Sequence, residues 1–312
     1  MPAICVPDDA PPVLASSAAW SDLAARGGVM YFDTLPGSEE RLIERIGSAE
    51  VLLNIRSSVK FTERVFAACP GLRMISVWGT GTDHVDLAAA ARHGVAVANT
   101  PGVSAAAVAE HTLALLLAAA RRIPQMDAAV RRGEWPRGHS TDLRGKVCGV
   151  IGLGAIGREF ARLAAAIGMR VTGWTPHRRN IPGVEMVELE ELFRASDAIS
   201  LHLRLSEETR GFVGAKQLAW MKPEAILVNT ARGGIVEEAA LREALVSGRI
   251  RAAALDVFAT EPLPSNHAWA GVPNVVLTPH CAGISPGVLE AGLRMAVENI
   301  WAFLNGRPQN LV

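Results

Sequence analysis

This chain has few aromatic residues and no excess of either charge. Its 312 residues include one Tyr and eight Phe, so a core has to be built from Ala, Val, Leu and Ile. The 31 basic residues are balanced by 31 acidic ones, which excludes a strongly basic nucleic-acid surface as the default partner. A hydrophobic content of 49% argues against intrinsic disorder, and the length suits two domains.

Long apolar runs and paired cysteines are also absent from the sequence. No uninterrupted run of about eighteen apolar residues occurs, so we expect no membrane span. The first residues, MPAICVPDDA, lack the basic and apolar parts of a signal peptide. The cysteines have no CxxC spacing, which predicts reduced thiols in a cytoplasmic protein and no metal site. They are Cys5, Cys69, Cys148 and Cys281.

The most informative stretch is a glycine motif between two apolar runs. The run 147–151 is followed by Gly152, Gly154 and Gly157 in GxGxxG spacing, then by a helical pattern and a second run, 169–174. Strand, glycine turn, helix and strand in about thirty residues are typical of a dinucleotide-binding unit. Gly152 allows the tight turn, Gly154 lets the backbone approach a pyrophosphate, and Gly157 lets the helix pack closely. The pyrophosphate would bind at the helix N-terminus.

The end of this unit departs from the usual pattern. An acidic residue normally ends the second strand and binds the ribose hydroxyls of NAD, but Thr175 stands there. No acid occurs from 168 to 183, and His177, Arg178 and Arg179 follow directly. Because Arg pairs with a phosphate in forked geometry, the sequence favours NADP over NAD. The alternative is that the basic run is only a solvated turn.

Strand and helix patterns alternate along the chain, which predicts parallel sheets with helices on both faces. The first part is expected to form a small doubly wound domain that ends at the turn 99–102. Within it, Asp83 is predicted to cap a helix that ends at Gly94. The predicted strands are 3–6, 29–32, 50–55, 72–77, 95–98, 147–151, 169–174, 197–203, 224–229, 251–257 and 275–277.

Three chemically versatile residues follow three successive predicted strands. Arg232 follows 224–229, Glu261 follows 251–257, and His280 follows 275–277. Since parallel strands present ligand-facing residues at their carboxyl ends, we expect these side chains at the cofactor-binding edge. Arg232 can bind the carboxylate and carbonyl of a 2-oxo acid, and His280 can supply a proton that Glu261 helps to hold. A bound nicotinamide would carry the hydride.

The chain then resembles the D-isomer-specific 2-hydroxyacid dehydrogenase family over nearly its full length. The stretches VIGLGAIG, LHLRLSEETRGFVGAKQLAWMKPEAILVNTARGGIVEEAALREAL, AAALDVFATEPL and TPHCAG carry the resemblance. It implies an α/β protein of two doubly wound parallel-sheet domains, with a Rossmann cofactor domain at 102–284 inserted in a flavodoxin-like substrate domain at 1–101 plus 285–312. It also implies a homodimer that uses the helix near 104–121 and the following arm.

The resemblance assigns roles to individual residues. It makes Arg232, Glu261 and His280 catalytic, and it implies Thr230 and Asp256 near the nicotinamide. The predicted substrate-binding residues are Arg56, Trp78, Thr80, Gly81 and Arg232. The predicted cofactor-binding residues are Gly152, Gly154, Ala155, Ile156, Gly157, Thr175, His177, Arg178, Arg179, Arg204, Thr209, Thr230, Ala231, Asp256 and Gly283.

Four positions depart from the family pattern or leave alternatives open. Thr175 replaces the usual acid. Arg204 replaces the usual Pro and is either an additional phosphate contact or a tolerated surface change. Trp78 is large for the substrate loop and either walls an apolar pocket or packs against its lobe. Cys281 has no evident base, so we interpret it as a filler and not as a nucleophile.

The expected activity is reduction of a 2-oxo acid such as glyoxylate, hydroxypyruvate or phenylpyruvate, with NADP(H) favoured and NAD(H) possible. A formate dehydrogenase-like enzyme is one alternative, although those enzymes have Gln in place of Glu261. A dinucleotide-sensing protein of corepressor type, which binds peptides through its first domain, is the non-enzymatic alternative. We expect no nucleic-acid or membrane partner.

Overall fold

A computed structural model of the chain describes residues 2–177 and 180–312. Arg178 and Arg179, on which part of the NADP prediction depends, lie outside these ranges. The strands are β1 Ala3–Val6, β2 Gly28–Tyr31, β3 Val51–Asn54, β4 Met74–Val77, β5 Ala96–Ala98, β6 Val147–Ile151, β7 Arg170–Trp174, β8 Glu185–Met186, β9 Ala198–Leu201, β10 Ile226–Asn229, β11 Ala252–Leu255 and β12 Val275–Leu277.

The helices alternate with the strands over most of the chain. They are α1 Ala18–Arg26, α2 Glu39–Ile46, α3 Glu63–Ala68, α4 Leu87–Arg92, α5 Ala105–Arg121, α6 Ile123–Arg131, α7 Ala155–Ala166, α8 Leu189–Ala195, α9 Ala215–Trp220, α10 Glu238–Val246 and α11 Pro286–Leu304. In the ranges that the structure describes, no helix has the length and apolar composition needed to cross a membrane.

The chain divides into two compact units. Unit 1 comprises Met1–Ser104 and Ile284–Val312, and unit 2 comprises Ala105–Gly283. The breaks expected from the sequence, after 101 and before 285, lie within a few residues of these boundaries.

Unit 1 contains a parallel sheet in the order β2-β1-β3-β4-β5. Strands β3 and β4 are buried throughout, because helices cover both faces and the strands therefore need no polar alternation. Leu42 of α2 and Phe66 of α3 pack on one face, and Leu23 of α1 and Leu293 of α11 pack on the other. This is the doubly wound, flavodoxin-like strand order.

Unit 2 contains a parallel sheet in the order β12-β11-β10-β9-β6-β7-β8. Helices α5 and α7 pack on one face, and α8, α9 and α10 pack on the other. The strand order reverses between β6 and β9, which is where ligands bind in open sheets of this type. The sheet therefore has the Rossmann arrangement, and β10, β11 and β12 end side by side at the same edge.

The prediction that Asp83 caps a helix was wrong. Asp86 caps α4, because its Oδ1 accepts a hydrogen bond from the N–H of Ala89 at 2.9 Å. Several strands end earlier than predicted: the last residues of 197–203 and 251–257 already belong to loops at the carboxyl edge. The short elements β8 and α9 were missed, because too few residues carry their pattern.

Candidate active site

The glycine turn after β6 depends on close backbone approach. Gly152 has φ +92°, and a Cβ there would lie 2.6 Å from the carbonyl oxygen of His202. A Cβ at Gly157 would lie 2.0 Å from the carbonyl oxygen of Gly152. Both positions therefore require glycine for the turn and the helix to fit together.

Unlike Gly152 and Gly157, Gly154 is not crowded by surrounding protein atoms. A Cβ there would meet nothing within 4 Å, and the residue precedes α7 as its N-cap. The first N–H groups of a helix have no partner inside the helix, and Ala155 and Ile156 occupy this first turn. The open space beside Gly154 and these N–H groups fit the pyrophosphate of a dinucleotide.

The residues predicted to distinguish NADP from NAD lie on either side of this turn. Thr175, after β7, is half-buried and His177 is exposed, whereas Arg204, after β9, is exposed. The hydroxyl of Thr209 bonds the carbonyl oxygen of Arg204 at 2.6 Å and the N–H of Ser206 at 2.8 Å. Thr209 therefore closes a local turn in this structure.

Glu261 and His280 form a hydrogen-bonded pair. Nδ1 of His280 lies 2.6 Å from Oε2 of Glu261, and Oε1 of Glu261 accepts the N–H of Phe258 at 2.7 Å. The His280 side chain is 45% exposed, so the pair is open to a ligand. The carboxylate thus fixes the imidazole orientation and leaves Nε2 as the ring nitrogen available for chemistry.

Arg232 stands at the end of the neighbouring strand β10. Its guanidinium Nη1 donates to the carbonyl oxygen of Ala231 at 2.8 Å, and its carbonyl oxygen accepts Nδ2 of Asn229 at 2.9 Å. A Cβ at the next residue, Gly233, would lie 2.0 Å from the carbonyl carbon of Phe258. Gly233 therefore allows the Arg232 loop to approach the loop that carries Glu261.

Asp256 organises the loop that carries His280. The aspartate is fully buried, and its carboxylate accepts the Thr278 hydroxyl at 2.6 Å and the N–H groups of Cys281 and Ala282 at 2.9 Å each. Its carbonyl oxygen accepts the N–H of His280, whose φ of +51° is left-handed. The sequence placed Asp256 near the cofactor but did not indicate this supporting role.

The sequence also missed the contribution of α5 to this region. Nε2 of His111 lies 3.1 Å from the Thr278 hydroxyl, and the hydroxyls of Thr112 and Thr230 lie 2.8 Å apart. His111 and Thr112 are adjacent polar residues inside the most apolar helix, and this pattern could have indicated that α5 contributes to the site.

Cys281 shows no sign of nucleophilic activation. Burial, reinforced by the Asp256 carboxylate, raises the pKa of this thiol, so it stays protonated at neutral pH. Ligand atoms of His111, Asp256 and Cys281 lie within 4.8 Å of one another, as they could in a metal site. These groups also have partners within the protein: His111 contacts the Thr278 hydroxyl, and Asp256 accepts that hydroxyl and the N–H of Cys281.

In unit 1, the loop after β4 contains Thr80 and Gly81, which were predicted to bind substrate. Thr80 is exposed, and Asn99 and Thr100 hold the loop through hydrogen bonds to the carbonyl oxygen of Thr80 and the N–H of Gly79, each 2.8 Å long. Within residues 2–177 and 180–312, the N–H groups of Thr80 and Gly81 donate no hydrogen bond. They are therefore available to an anion.

Arg56 and Trp78 lie together in unit 1. The guanidinium of Arg56 lies 5.6 Å from the centre of a Trp78 ring and donates to the carbonyl oxygens of Ala10 and Pro11. Trp78 packs against α11, where a Cβ at Gly292 would lie 2.4 Å from its Nε1. Trp78 is therefore large because it packs against α11 within unit 1.

The fold and the glycine turn define a dinucleotide-binding α/β protein. Residues 113–282, more than half of the chain, match the family model described as D-isomer specific 2-hydroxyacid dehydrogenase, NAD binding domain. The chain belongs to this family.

Two curated relatives and one solved structure indicate the range of similar proteins. The chain is 42% identical over 286 residues to a D-3-phosphoglycerate dehydrogenase of Methanocaldococcus jannaschii; the match covers 88% of this chain and 54% of the relative, so the chain spans about half of that protein. It is 40% identical over 294 residues to a glyoxylate reductase of Korarchaeum cryptofilum, covering 91% of this chain and 88% of the relative. An acyclic imino acid reductase in complex with NADPH and D-Arg superposes with a TM-score of 0.92 at 32% identity, covering 99% of each chain.

Proposed function

We propose that this protein reduces a short 2-oxo acid to the D-2-hydroxy acid, with NADPH as the favoured hydride donor. The observation that carries the proposal is the 2.6 Å hydrogen bond between Glu261 and His280, at the same sheet edge as Arg232. An acid, an imidazole and a guanidinium on three adjacent strand ends supply the groups that this reduction needs from a protein.

Each side chain has one role in the proposed reaction. The guanidinium of Arg232 binds the substrate carboxylate and polarises the carbonyl. Nε2 of His280 donates a proton to the carbonyl oxygen, while Glu261 holds the ring in place through Nδ1. A bound nicotinamide supplies the hydride. In the reverse direction, His280 accepts the hydroxyl proton.

The cofactor site is proposed to use the glycine turn for the pyrophosphate and Thr230, Ala231, Asp256 and Gly283 near the nicotinamide. Thr175 offers no carboxylate to repel a ribose 2′-phosphate, which supports NADPH. The similar imino acid reductase was solved with NADPH, which is consistent with this preference. If Arg178 and Arg179 bind the phosphate, changing both to Ala will weaken NADPH binding and leave NADH binding unchanged.

The substrate is proposed to be a small 2-oxo acid such as glyoxylate or hydroxypyruvate. The unpaired N–H groups of Thr80 and Gly81 are candidates for its carboxylate, and Arg56 is a candidate for a polar group further along it. The similarity to a glyoxylate reductase supports this size class. We also expect a cytoplasmic homodimer that uses α5 and the following arm.

The test is turnover of glyoxylate, hydroxypyruvate and phenylpyruvate by purified protein with NADPH and with NADH, with chiral analysis of the product. The proposal predicts oxidation of NADPH that depends on the oxo acid, and a D-configured product wherever a stereocentre forms. Absence of turnover across the panel with both cofactors would refute it. Turnover only when an amine is added would instead indicate reduction of imino acids.

A further inference from the structure

A buried carboxylate of unit 1, that of Asp8, holds the backbone of the loop that carries Arg56. Asp8 follows β1 and is 3% exposed. Its Oδ1 accepts the N–H of Ile55 at 2.9 Å, and its Oδ2 accepts the N–H of Arg56 at 3.1 Å. Because β1 and β3 are neighbouring parallel strands, the two segments leave the same edge of the sheet. Asp8 therefore ties the start of the Arg56 loop to the end of β1.

The carbonyl group of Arg56 is held as well. Nδ2 of Asn54 donates to this oxygen at 2.6 Å and to Oδ2 of Asp8 at 2.5 Å. Both partners are acceptors, so the NH2 end of the amide must face them. Oδ1 of Asn54 then lies 2.7 Å from Nε2 of His84. Buried side chains thus fix both polar groups of the Arg56 main chain.

The side chain of Arg56 is held by the same short segment that carries Asp8. Its Nε donates to the carbonyl oxygen of Ala10 at 3.2 Å, and its Nη2 donates to that of Pro11 at 2.6 Å. Arg56 is half-buried, and within the described part of the chain its Nη1 makes no hydrogen bond. Residues 8–11 therefore determine where the backbone of Arg56 lies and also which way its guanidinium faces.

We propose that Asp8 is a positioning residue for substrate binding, which holds Arg56 in the orientation that meets the group beyond the carbonyl of the 2-oxo acid. The inference rests on the proposed function, in which Arg56 binds that group. An arginine that moves freely in solvent loses side-chain freedom when it binds a ligand. An arginine that is already held loses less, so the fixed geometry favours binding.

Asp8→Asn tests this role because it keeps the shape of the side chain and removes one acceptor. Whichever way the new amide is turned, its NH2 group faces a donor, either the N–H of Ile55 or that of Arg56. We expect the loop to move away from residues 8–11, so that Nε and Nη2 of Arg56 no longer reach both carbonyl oxygens.

Steady-state kinetics with NADPH compare hydroxypyruvate with glyoxylate, which has no group beyond its carbonyl. The assays are run at about pH 8.5, because burial raises the pKa of Asp8 to about 7 and the carboxylate has to be ionised. We expect Asp8→Asn to raise KM for hydroxypyruvate about three- to tenfold. Its kcat values and its KM for glyoxylate should stay within about twofold of the wild type, since neither depends on Arg56.

A double variant shows whether Asp8 acts through Arg56. Arg56→Gln should raise KM for hydroxypyruvate with the same selectivity over glyoxylate. Adding Asp8→Asn to Arg56→Gln should raise it no further, because the group that Asp8 positions is already gone. Additive increases in KM would overturn the inference.

Ser76→Ala is the control for a loss of stability in unit 1. Ser76 is fully buried, and its hydroxyl donates to the carbonyl oxygen of Ala296 at 2.8 Å, away from the Arg56 loop. It should lower the melting temperature and leave both KM values unchanged. If Asp8→Asn folds poorly, Asn54→Ala replaces it: this variant releases the carbonyl of Arg56 and should produce the same rise in KM for hydroxypyruvate alone.

Two kinetic results would overturn the inference. An equal rise in KM for both substrates would show that Asp8 only supports the fold of unit 1, and wild-type kinetics in Asp8→Asn would show that it does not position Arg56. If the wild type reduces neither oxo acid, the proposed function fails, and isothermal titration of the NADPH-loaded chain with hydroxypyruvate decides the inference. Weaker binding in Asp8→Asn would then support it, whereas equal binding or no binding to the wild type would refute it.

Discussion

Two alanine substitutions in the glycine turn should separate cofactor binding from folding. At Gly157, a Cβ would lie 2.0 Å from the carbonyl oxygen of Gly152, whereas real Cβ atoms essentially never come closer than 3.0 Å. The helix and the turn would therefore have to separate by about 1 Å. Such overpacking typically costs about 1–3 kcal/mol of unfolding free energy. Gly157→Ala should lose both stability and cofactor affinity.

Gly154→Ala is the matched variant, because the protein leaves space for its methyl group. A Cβ there meets nothing within 4 Å, and φ of −72° suits alanine. The substitution should change the unfolding free energy by no more than about 1 kcal/mol, because alanine restricts the unfolded chain but is a poorer N-cap than glycine. If the pyrophosphate lies against this residue, a clash of about 1–3 kcal/mol should weaken NADPH binding by roughly 5–150-fold.

Fluorescence titration with NADPH and thermal unfolding of both variants provide the measurements. An NADPH affinity of Gly154→Ala within twofold of the wild type would show that the pyrophosphate does not lie on this turn. Wild-type stability in Gly157→Ala would show that the turn and the helix can separate freely, contrary to the packing argument.

Three further substitutions test the supporting structure. Gly233→Ala places a Cβ 2.0 Å from the Phe258 carbonyl carbon and should displace the Arg232 loop. Steady-state kinetics should show a kcat for 2-oxo acid reduction that is more than tenfold lower, and titration should show little change in NADPH affinity. Asp256→Asn turns an NH2 group toward donors that now bond a carboxylate, and should cost about 1–3 kcal/mol in urea unfolding; equal stability would contradict the role given to Asp256. Burial raises the pKa of Asp8 from 3.8 to about 7. Between about pH 4 and pH 7 the native state therefore keeps a proton that the unfolded chain releases. The free energy of unfolding should then fall by up to about 4 kcal/mol as the pH rises through this range. Asp8→Asn should remove that slope, and the difference between the two urea-unfolding profiles measures it.

Local patterns were sufficient to predict the two sheets and the candidate catalytic residues. The glycine turn is encoded within a few residues, and Arg232, Glu261 and His280 each follow a recognisable strand. Because parallel strands end at a common edge, neighbouring positions in the sheet follow from chain order once the fold class is known.

Features that depend on contacts between distant segments could not be predicted. The sequence around Asp256 does not reveal that its carboxylate holds the His280 loop, and Gly292 does not reveal that Trp78 packs on it. A cavity beside Arg122 is built from several separate segments, so no local pattern in the sequence indicates it. Asp83 was predicted as the cap, and only the geometry of α4 shows that Asp86 takes this position.

The central claim is that His280 donates a proton while a bound nicotinamide delivers a hydride. It is tested most directly by comparing NADPH-dependent reduction of glyoxylate in the wild type and in His280→Ala, with NADPH affinity measured on the same samples. The account predicts a wild-type activity whose kcat falls by about 10²–10⁴-fold in the variant, while NADPH affinity stays within twofold. A variant that reduces glyoxylate at the wild-type rate would contradict it.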